Sequence, residues 1–231
     1  MSHHVHPYAH RLGTLRDWKS RWFADSGKYQ EYLKGDVLLR EFLVKRLRGM
    51  HVSDIEMERN DKSWKIVVKT ARPGLVIGRN GEGAAKLRAD VLSRLARLKI
   101  ATPKEFRLEV EEVRNPEANA AIVGQMVAEG LEKRMPFKRV LKQMLEKVMA
   151  NRDVKGARVE VSGRLGGADM SRKEHVKAGN IPLQTIRADV DFAREKAYLP
   201  YGVIGIQVWI YKGEVFAEKK AARPEAPAPR A

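Results

Sequence analysis

Ala71-Arg72-Pro73-Gly74-Leu75-Val76-Ile77-Gly78-Arg79-Asn80-Gly81-Glu82 is the stretch whose reading decides the fold. Leu75 to Ile77 predict one helical turn, and Glu82 predicts the start of a longer helix. Between them Gly78 and Gly81 bracket Arg79 and Asn80, which leaves little side-chain bulk on a tight loop. Such a loop presents free backbone N–H groups to an anion, and Arg79 adds a charge. The spacing alone proves little: with 18 glycines in 231 residues, such a pair arises about once by chance. The chain holds three pairs. Gly163/Gly166 ends an alternating strand and Gly202/Gly205 begins one, so a turn or strand glycine accounts for both. Only Gly78/Gly81 lies between helical patterns, and its surroundings must decide its role.

Upstream, 36–48 is helical in pattern, with Val37, Leu38, Leu43, Val44 and Leu47 on or near one stripe. Val52 to Glu58 reads as a strand. Trp64, Ile66 and Val68 then alternate with Lys65 and Lys69, and Asn60-Asp61 supplies the turn between the two strands. Downstream, Leu87, Val91, Leu95 and Leu98 recur at steps of four, four and three. Phe106, Leu108 and Val110 alternate with Arg107, Glu109 and Glu111 as a half-buried strand. The order helix, strand, strand, short helix, glycine loop, helix, strand over 36–114 resembles a type II KH domain. That module clamps about four nucleotides through its Gly-x-x-Gly loop, which makes Gly78, Arg79, Asn80 and Gly81 the candidate RNA-binding loop.

Asn115-Pro116 marks a boundary, because a residue before proline is pushed out of helical geometry. Glu117 to about Lys133 is Ala-rich and helical, and Pro136 is well placed at a helix start. Phe137, Val140, Leu141, Met144, Leu145, Val148 and Met149 then form one continuous apolar stripe, which is core. On the other face Arg134, Lys138 and Lys142 sit at steps of four, with Arg139 beside them and Glu146 one step on. Four cations with no acid among them repel one another unless they face a polyanion. Three strand patterns follow, around Val159/Val161, Ile186 to Phe192 and Ile204 to Ile210. A long polar loop, Arg164 to Ile181, separates the first two. The expected architecture is α+β throughout: the KH domain, then a 115–216 domain of two helices on a mainly antiparallel three-stranded sheet. A tail, 217–231, is expected to be disordered.

A net charge of +16, from 45 basic and 29 acidic residues, favours a polyanionic partner through counterion release. Residues 1–35 form a basic arm in which Arg11, Arg16, Lys19 and Arg21 surround Trp18, Trp22 and Phe23. The arm either docks on RNA or packs on the protein's own body. Arg72, Arg164, Arg172, Lys173 and Lys177 complete the candidate RNA contacts. No stretch matches a signal peptide or membrane span, and the absence of cysteine excludes thiolate metal sites. His3, His4 and His6 lack acidic partners, so no metal is expected, and no cofactor. No P-loop or dinucleotide fingerprint occurs, and His51 and His175 have no companion at metal or triad spacing. The carboxylate pairs Asp189/Asp191 and Glu109/Glu111 read as solvated or cation-paired. The chain is not expected to be an enzyme.

Longer motifs sharpen this. Val5-His6-Pro7, Arg11-Leu12-Gly13 and Trp22-Phe23 resemble the opening of the bacterial small-subunit ribosomal protein S-three family. So do 71–78 in the KH segment, and 161–168, Ile186-Arg187-Ala188-Asp189 and Tyr201-Gly202-Val203-Ile204-Gly205 in the second half. The likeness runs from residue 1 to about 215. It implies a cytoplasmic protein on the head of the small ribosomal subunit, bound to ribosomal RNA beside proteins ten and fourteen. It also implies a place where messenger RNA enters, with Lys138, Arg139 and Lys142 matching the basic helix associated with messenger unwinding. A free KH-type regulator or ribosome assembly factor is the alternative, and a nucleic-acid-processing enzyme a distant third.

Overall fold

The computed structural model describes residues 5–60, 62–98, 100 and 105–216. His3, His4, Asp61 of the expected turn and the 217–231 tail lie outside the described residues.

The N-terminal unit is a four-stranded sheet with helices on one face. Its strands are β1 (Ser20–Arg21), β2 (Val52–Arg59), β3 (Ser63–Thr70) and β4 (Glu105–Glu112), in the order β1-β2-β3-β4. β2 and β3 form an antiparallel hairpin that pairs Ile55 with Val68 and Met57 with Ile66. β4 runs parallel to β3, which requires a crossover. The glycine-loop segment provides it, as α3 (Pro73–Ile77), a single 3₁₀ turn (Arg79–Gly81) and α4 (Glu82–Arg97). Leu87, Val91 and Leu95 of α4 meet Trp64, Ile66, Val68 and Phe106 in one core. Helix α2 (Ser26–Arg46) covers the rest of that face. It starts ten residues before the expected helix, so the boundary at 35/36 cuts through it. Its buried stripe is Leu39 and Leu43, continued at the same step of four by Leu47 just past its end. Val37 and Val44 of the expected stripe face solvent.

The C-terminal unit has α5 (Ala120–Glu132) and α6 (Phe137–Met149) on one face of an antiparallel sheet. The sheet has four strands, not the expected three. They are β5 (Gly156–Gly163), β6 (Arg172–Gly179), β7 (Ala188–Leu199) and β8 (Gly202–Glu214), in the order β6-β5-β8-β7. The additional strand, β6, occupies the segment read as a polar loop. As an edge strand it buries only one face partly: Val176 pairs with Val159 and Ala178 with Ala157, while Lys173, His175 and Lys177 stay exposed. A sequence with so few apolar residues shows no strand period. The regular stripe of α6 does become core, through Val140, Leu141, Leu145 and Val148.

The basic arm is a strap across both units. Helix α1 (Pro7–His10) lies against β7, with the His6 ring edge-on to Phe192 at 4.7 Å. Further along, β1 joins the N-terminal sheet parallel to β2. The linker at Asn115-Pro116 is likewise bridged. Gln125 donates to the Val52 carbonyl (2.8 Å) and Asn119 to Ser53 Oγ (2.6 Å), while Arg48 pairs with Glu132 and stacks over the Tyr198 ring at 4.2 Å.

Candidate nucleic-acid interface

The glycine loop is built by backbone constraints. Pro73 sits at the start of α3, where its missing N–H costs nothing. The Gly78 N–H closes the turn on the Gly74 carbonyl (3.0 Å). Gly78, Asn80 and Gly81 all take positive φ, at 71°, 53° and 82°, a region that glycine and asparagine tolerate best. Gly83, one turn on, was not singled out by the sequence reading. A Cβ there would lie 2.6 Å from the Val76 carbonyl oxygen and 2.8 Å from that of Ile77. Gly83 therefore lets the end of α3 pack directly on α4. Its signal, a third glycine two residues after Gly81, is easily taken for ordinary helix tolerance.

The loop that results is open. Arg79 and Asn80 are exposed, as is Arg72 at its base. The start of α4 has no side-chain cap, so its first N–H groups remain unclaimed by side chains. Leu75 and Ile77 are 54% and 37% exposed beside it. The other two glycine pairs behave as ordinary strand ends: Gly163 closes β5 and Gly202 opens β8.

Lys138, Arg139 and Lys142 are exposed on α6, opposite its buried stripe. Arg134 is also exposed but is not on the helix. It lies in the turn after α5 at φ 60°, with Pro136 then leading into α6. Among the described residues, none of these four cations makes an ion pair. Beside α6 runs a groove of about 470 Å³, shared with Glu146 and with Glu174 and Val176 of β6. Arg172 joins this side of the molecule, over the Phe137 ring at 5.6 Å and 3.3 Å from Glu174. Lys173 and Lys177 do not. Strand alternation puts them on the opposite face, across from Ser162 and Arg158.

The arm's cations are placed differently. Arg11 is completely buried, and its guanidinium donates to the carbonyls of Pro7, Pro182, Leu183, Thr185 and Ala188. Burial lowers its pKa, with Asp189 opposing that shift. The expected surface RNA contact is thus an interior tie: five backbone acceptors outcompete solvent for its donors. Arg16 pairs with Asp189 (2.7 Å), Lys19 with Asp54 (2.5 Å), and Arg21 with Asp17, Glu56 and Glu58. Arg164 braces its own loop, donating to the carbonyls of Ala168 (2.9 Å) and Tyr201 (3.3 Å).

The carboxylate pairs are structural too. Asp191 accepts from the Ala120 N–H at the start of α5 (2.9 Å), and Glu109 pairs with Lys65 (2.7 Å). Among the described residues no group of three or more His, Asp or Glu side chains converges to hold a metal ion, and no helix is long and apolar enough to cross a membrane.

Comparison with known proteins agrees with both units. The KH domain family matches residues 38–118, and the family described as ribosomal protein S3, C-terminal domain, matches 127–210. The protein named small ribosomal subunit protein uS3 from Pseudomonas fluorescens (strain Pf0-1) is 41% identical over 231 residues, covering all of this chain and 98% of the relative. The protein of that name from Photobacterium profundum is 41% identical over 230 residues, covering 97% of the relative. The likeness therefore extends through the tail that the sequence motifs left outside it. The chain belongs to the uS3 family of small ribosomal subunit proteins, RNA-binding components of the ribosome and not enzymes.

Proposed function

We propose that this chain holds ribosomal RNA in the small-subunit head and lines the path of entering messenger RNA, helping to position and unwind it. A ribosomal protein of this family works in the cytoplasm on the ribosome, with ribosomal RNA and other ribosomal proteins as its partners. The finer reading assigns ribosomal RNA to the loop Gly78, Arg79, Asn80 and Gly81 and to Arg72, Arg172, Lys173 and Lys177. It assigns messenger RNA to Lys138, Arg139 and Lys142 of α6 with Arg134 beside them, and takes proteins ten and fourteen as neighbours from the family resemblance. One observation carries it. The α6 cations stand exposed without a carboxylate partner among the described residues, whereas Arg11 of the arm is buried and Arg16, Lys19 and Arg21 are paired. Uncompensated like charge along a helix face costs stability unless phosphate relieves it.

The test replaces Lys138, Arg139 and Lys142 together by Ala. All three lie off the core and Ala favours helix, so stability moves by less than about 1 kcal/mol. Losing three phosphate contacts lowers the salt dependence of single-strand binding by roughly 2. Ribosomes carrying the variant should slow on a messenger with a stable hairpin and not on an unstructured control. Equal slowing on both templates, or on neither, refutes the messenger role.

A further inference from the structure

The chain holds six asparagines, and only Asn80 is followed by glycine. Three of the others are held by hydrogen bonds. Asn119 accepts from the Ala121 N–H and donates to Ser53, Asn115 donates to Asp153 (3.1 Å), and Asn151 accepts from the Asp153 N–H (3.1 Å). Asn60 and Asn180 precede Asp61 and Ile181, residues whose β-carbon hinders their own amide nitrogen. Asn80 is exposed, and among the described residues its side-chain amide makes no hydrogen bond. Gly81 brings no β-carbon, and the place where one would stand has no atom within 4 Å. A single 3₁₀ turn holds the pair, closed by the Glu82 N–H on the Arg79 carbonyl. Asn80 can therefore turn about its Cα–C bond at the cost of one exposed hydrogen bond.

That rotation sets the Gly81 nitrogen against Asn80 Cγ, with the advantage of any intramolecular reaction. We propose that Asn80-Gly81 is a self-modification site, where deamidation of Asn80 switches off the glycine loop in copies of the chain that have not engaged RNA. The Gly81 N–H loses its proton and the nitrogen attacks Asn80 Cγ. The N–Cγ bond forms, the Cγ–Nδ2 bond breaks, and Nδ2 leaves as ammonia with the proton that Gly81 lost. Water then opens the cyclic imide at either carbonyl, giving aspartate or isoaspartate; no oxidant or reductant takes part. Two features favour the attacking anion: Gly81 is the N-cap of the 16-residue α4, at that helix's positive end, and Arg79 stands two residues before it. Glu82 opposes them. The product carries a carboxylate, and in isoaspartate an extra backbone methylene, where the loop would meet phosphate. The effect on RNA rests on the reading of the loop proposed above; the chemistry at Asn80 does not.

The test ages the full chain at neutral pH and physiological temperature, alone and with saturating single-stranded RNA of mixed sequence. Proteolytic peptides are followed by mass spectrometry and released ammonia is assayed. Asn80 should convert at least about tenfold faster than Asn60 or Asn180, a barrier difference that the missing β-carbon supplies. RNA should slow that conversion in proportion to its occupancy. The aged chain and unaged Asn80→Asp should both bind the RNA roughly fivefold more weakly than the unaged chain, the scale of one like-charge contact in a surface dielectric. Asn80→Gln, whose longer side chain cyclises far more slowly, should bind alike before and after ageing. Conversion at Asn80 no faster than at Asn60 and Asn180 overturns the site, whatever the RNA does. Conversion that RNA does not slow, and that leaves binding unchanged, overturns the switch and with it the RNA reading of the loop. Equal weakening of the aged Asn80→Gln chain assigns the loss to other damage and overturns the switch as well.

Discussion

Replacing Arg11 by Ala distinguishes an interior tie from an RNA contact. Its guanidinium serves five backbone carbonyls, four of them in the C-terminal unit at Pro182, Leu183, Thr185 and Ala188. A hydrogen bond from a charged donor is worth about 1.5–3 kcal/mol, and losing the donor leaves its buried acceptors unsatisfied. Five such bonds do not add, because they share one side chain and water can enter the space it leaves. A net loss of about 3–5 kcal/mol is the expectation, comparable to breaking a buried ion pair. For a chain of this size that lowers Tm by roughly 6–20 °C. Arg11→Lys should recover only part of it, since an ammonium offers three donors from one point and cannot span five acceptors. Amide exchange should then speed up across α1 and at Arg11, whose N–H bonds to the Tyr8 carbonyl (3.1 Å). The N-terminal core should be untouched, being tied to the arm separately through Lys19 and Arg21. The assay is a thermal and urea melt of the full chain, paired with RNA binding across a salt series. If Arg11→Ala melts within about 1 kcal/mol of the parent but lowers the salt slope by roughly 0.7–0.9, Arg11 is a phosphate contact and the interior-tie reasoning fails.

Gly83→Ala should destabilise the N-terminal unit by about 1–3 kcal/mol, because its Cβ would force α3 and α4 apart; a melt within about 0.5 kcal/mol of the parent would show that the helices separate freely. His51 lies buried, 3.2 Å from Glu129, and burial lowers its pKa below the usual histidine value, with Glu129 opposing the shift and Arg72 and Lys133 adding to it. The unfolded chain then takes the proton first, so stability present above about pH 6.5 is lost as pH falls toward the lowered folded value; His51→Gln should flatten that part of the pH–stability curve, and an unchanged slope would assign it elsewhere. As separate folding units, residues 17–114 should melt cooperatively. Residues 36–114 should melt lower, lacking β1, the first ten residues of α2 and the Tyr32 ring that lies 3.5 Å from the Arg59 guanidinium. Equal melting of the two pieces would show that β1 and the start of α2 add nothing to the unit.

What could be read from the sequence followed from how local each constraint was. The α6 stripe is legible because thirteen residues repeat one period and bury one face against one sheet. The glycine loop is legible because its φ values are imposed within four residues. β6 is not: an edge strand with one half-buried face needs only Val176 and Ala178 to be apolar, and its hydrogen bonds to β5 leave no mark on composition. Gly83 is not, since what excludes a Cβ there is a pair of carbonyls on another helix. The arm shows the same limit in charge. Arg16, Lys19 and Arg21 read as a basic run because a count along the chain omits the carboxylates that other strands bring to it. β2 carries Asp54, Glu56 and Glu58 at alternate positions, so pleating places all three on one face, and β1 lays Lys19 and Arg21 beside them. Glu56 meets Lys69 of β3 in the same way (2.5 Å), continuing a ladder of cross-strand pairs. A charge run therefore marks a polyanion surface only after the acids of its spatial neighbours have been subtracted. On the arm that subtraction leaves almost nothing. On α6 it leaves Lys138, Arg139 and Lys142, since the adjoining strand β6 contributes one carboxylate, Glu174, and that one lies 3.3 Å from Arg172.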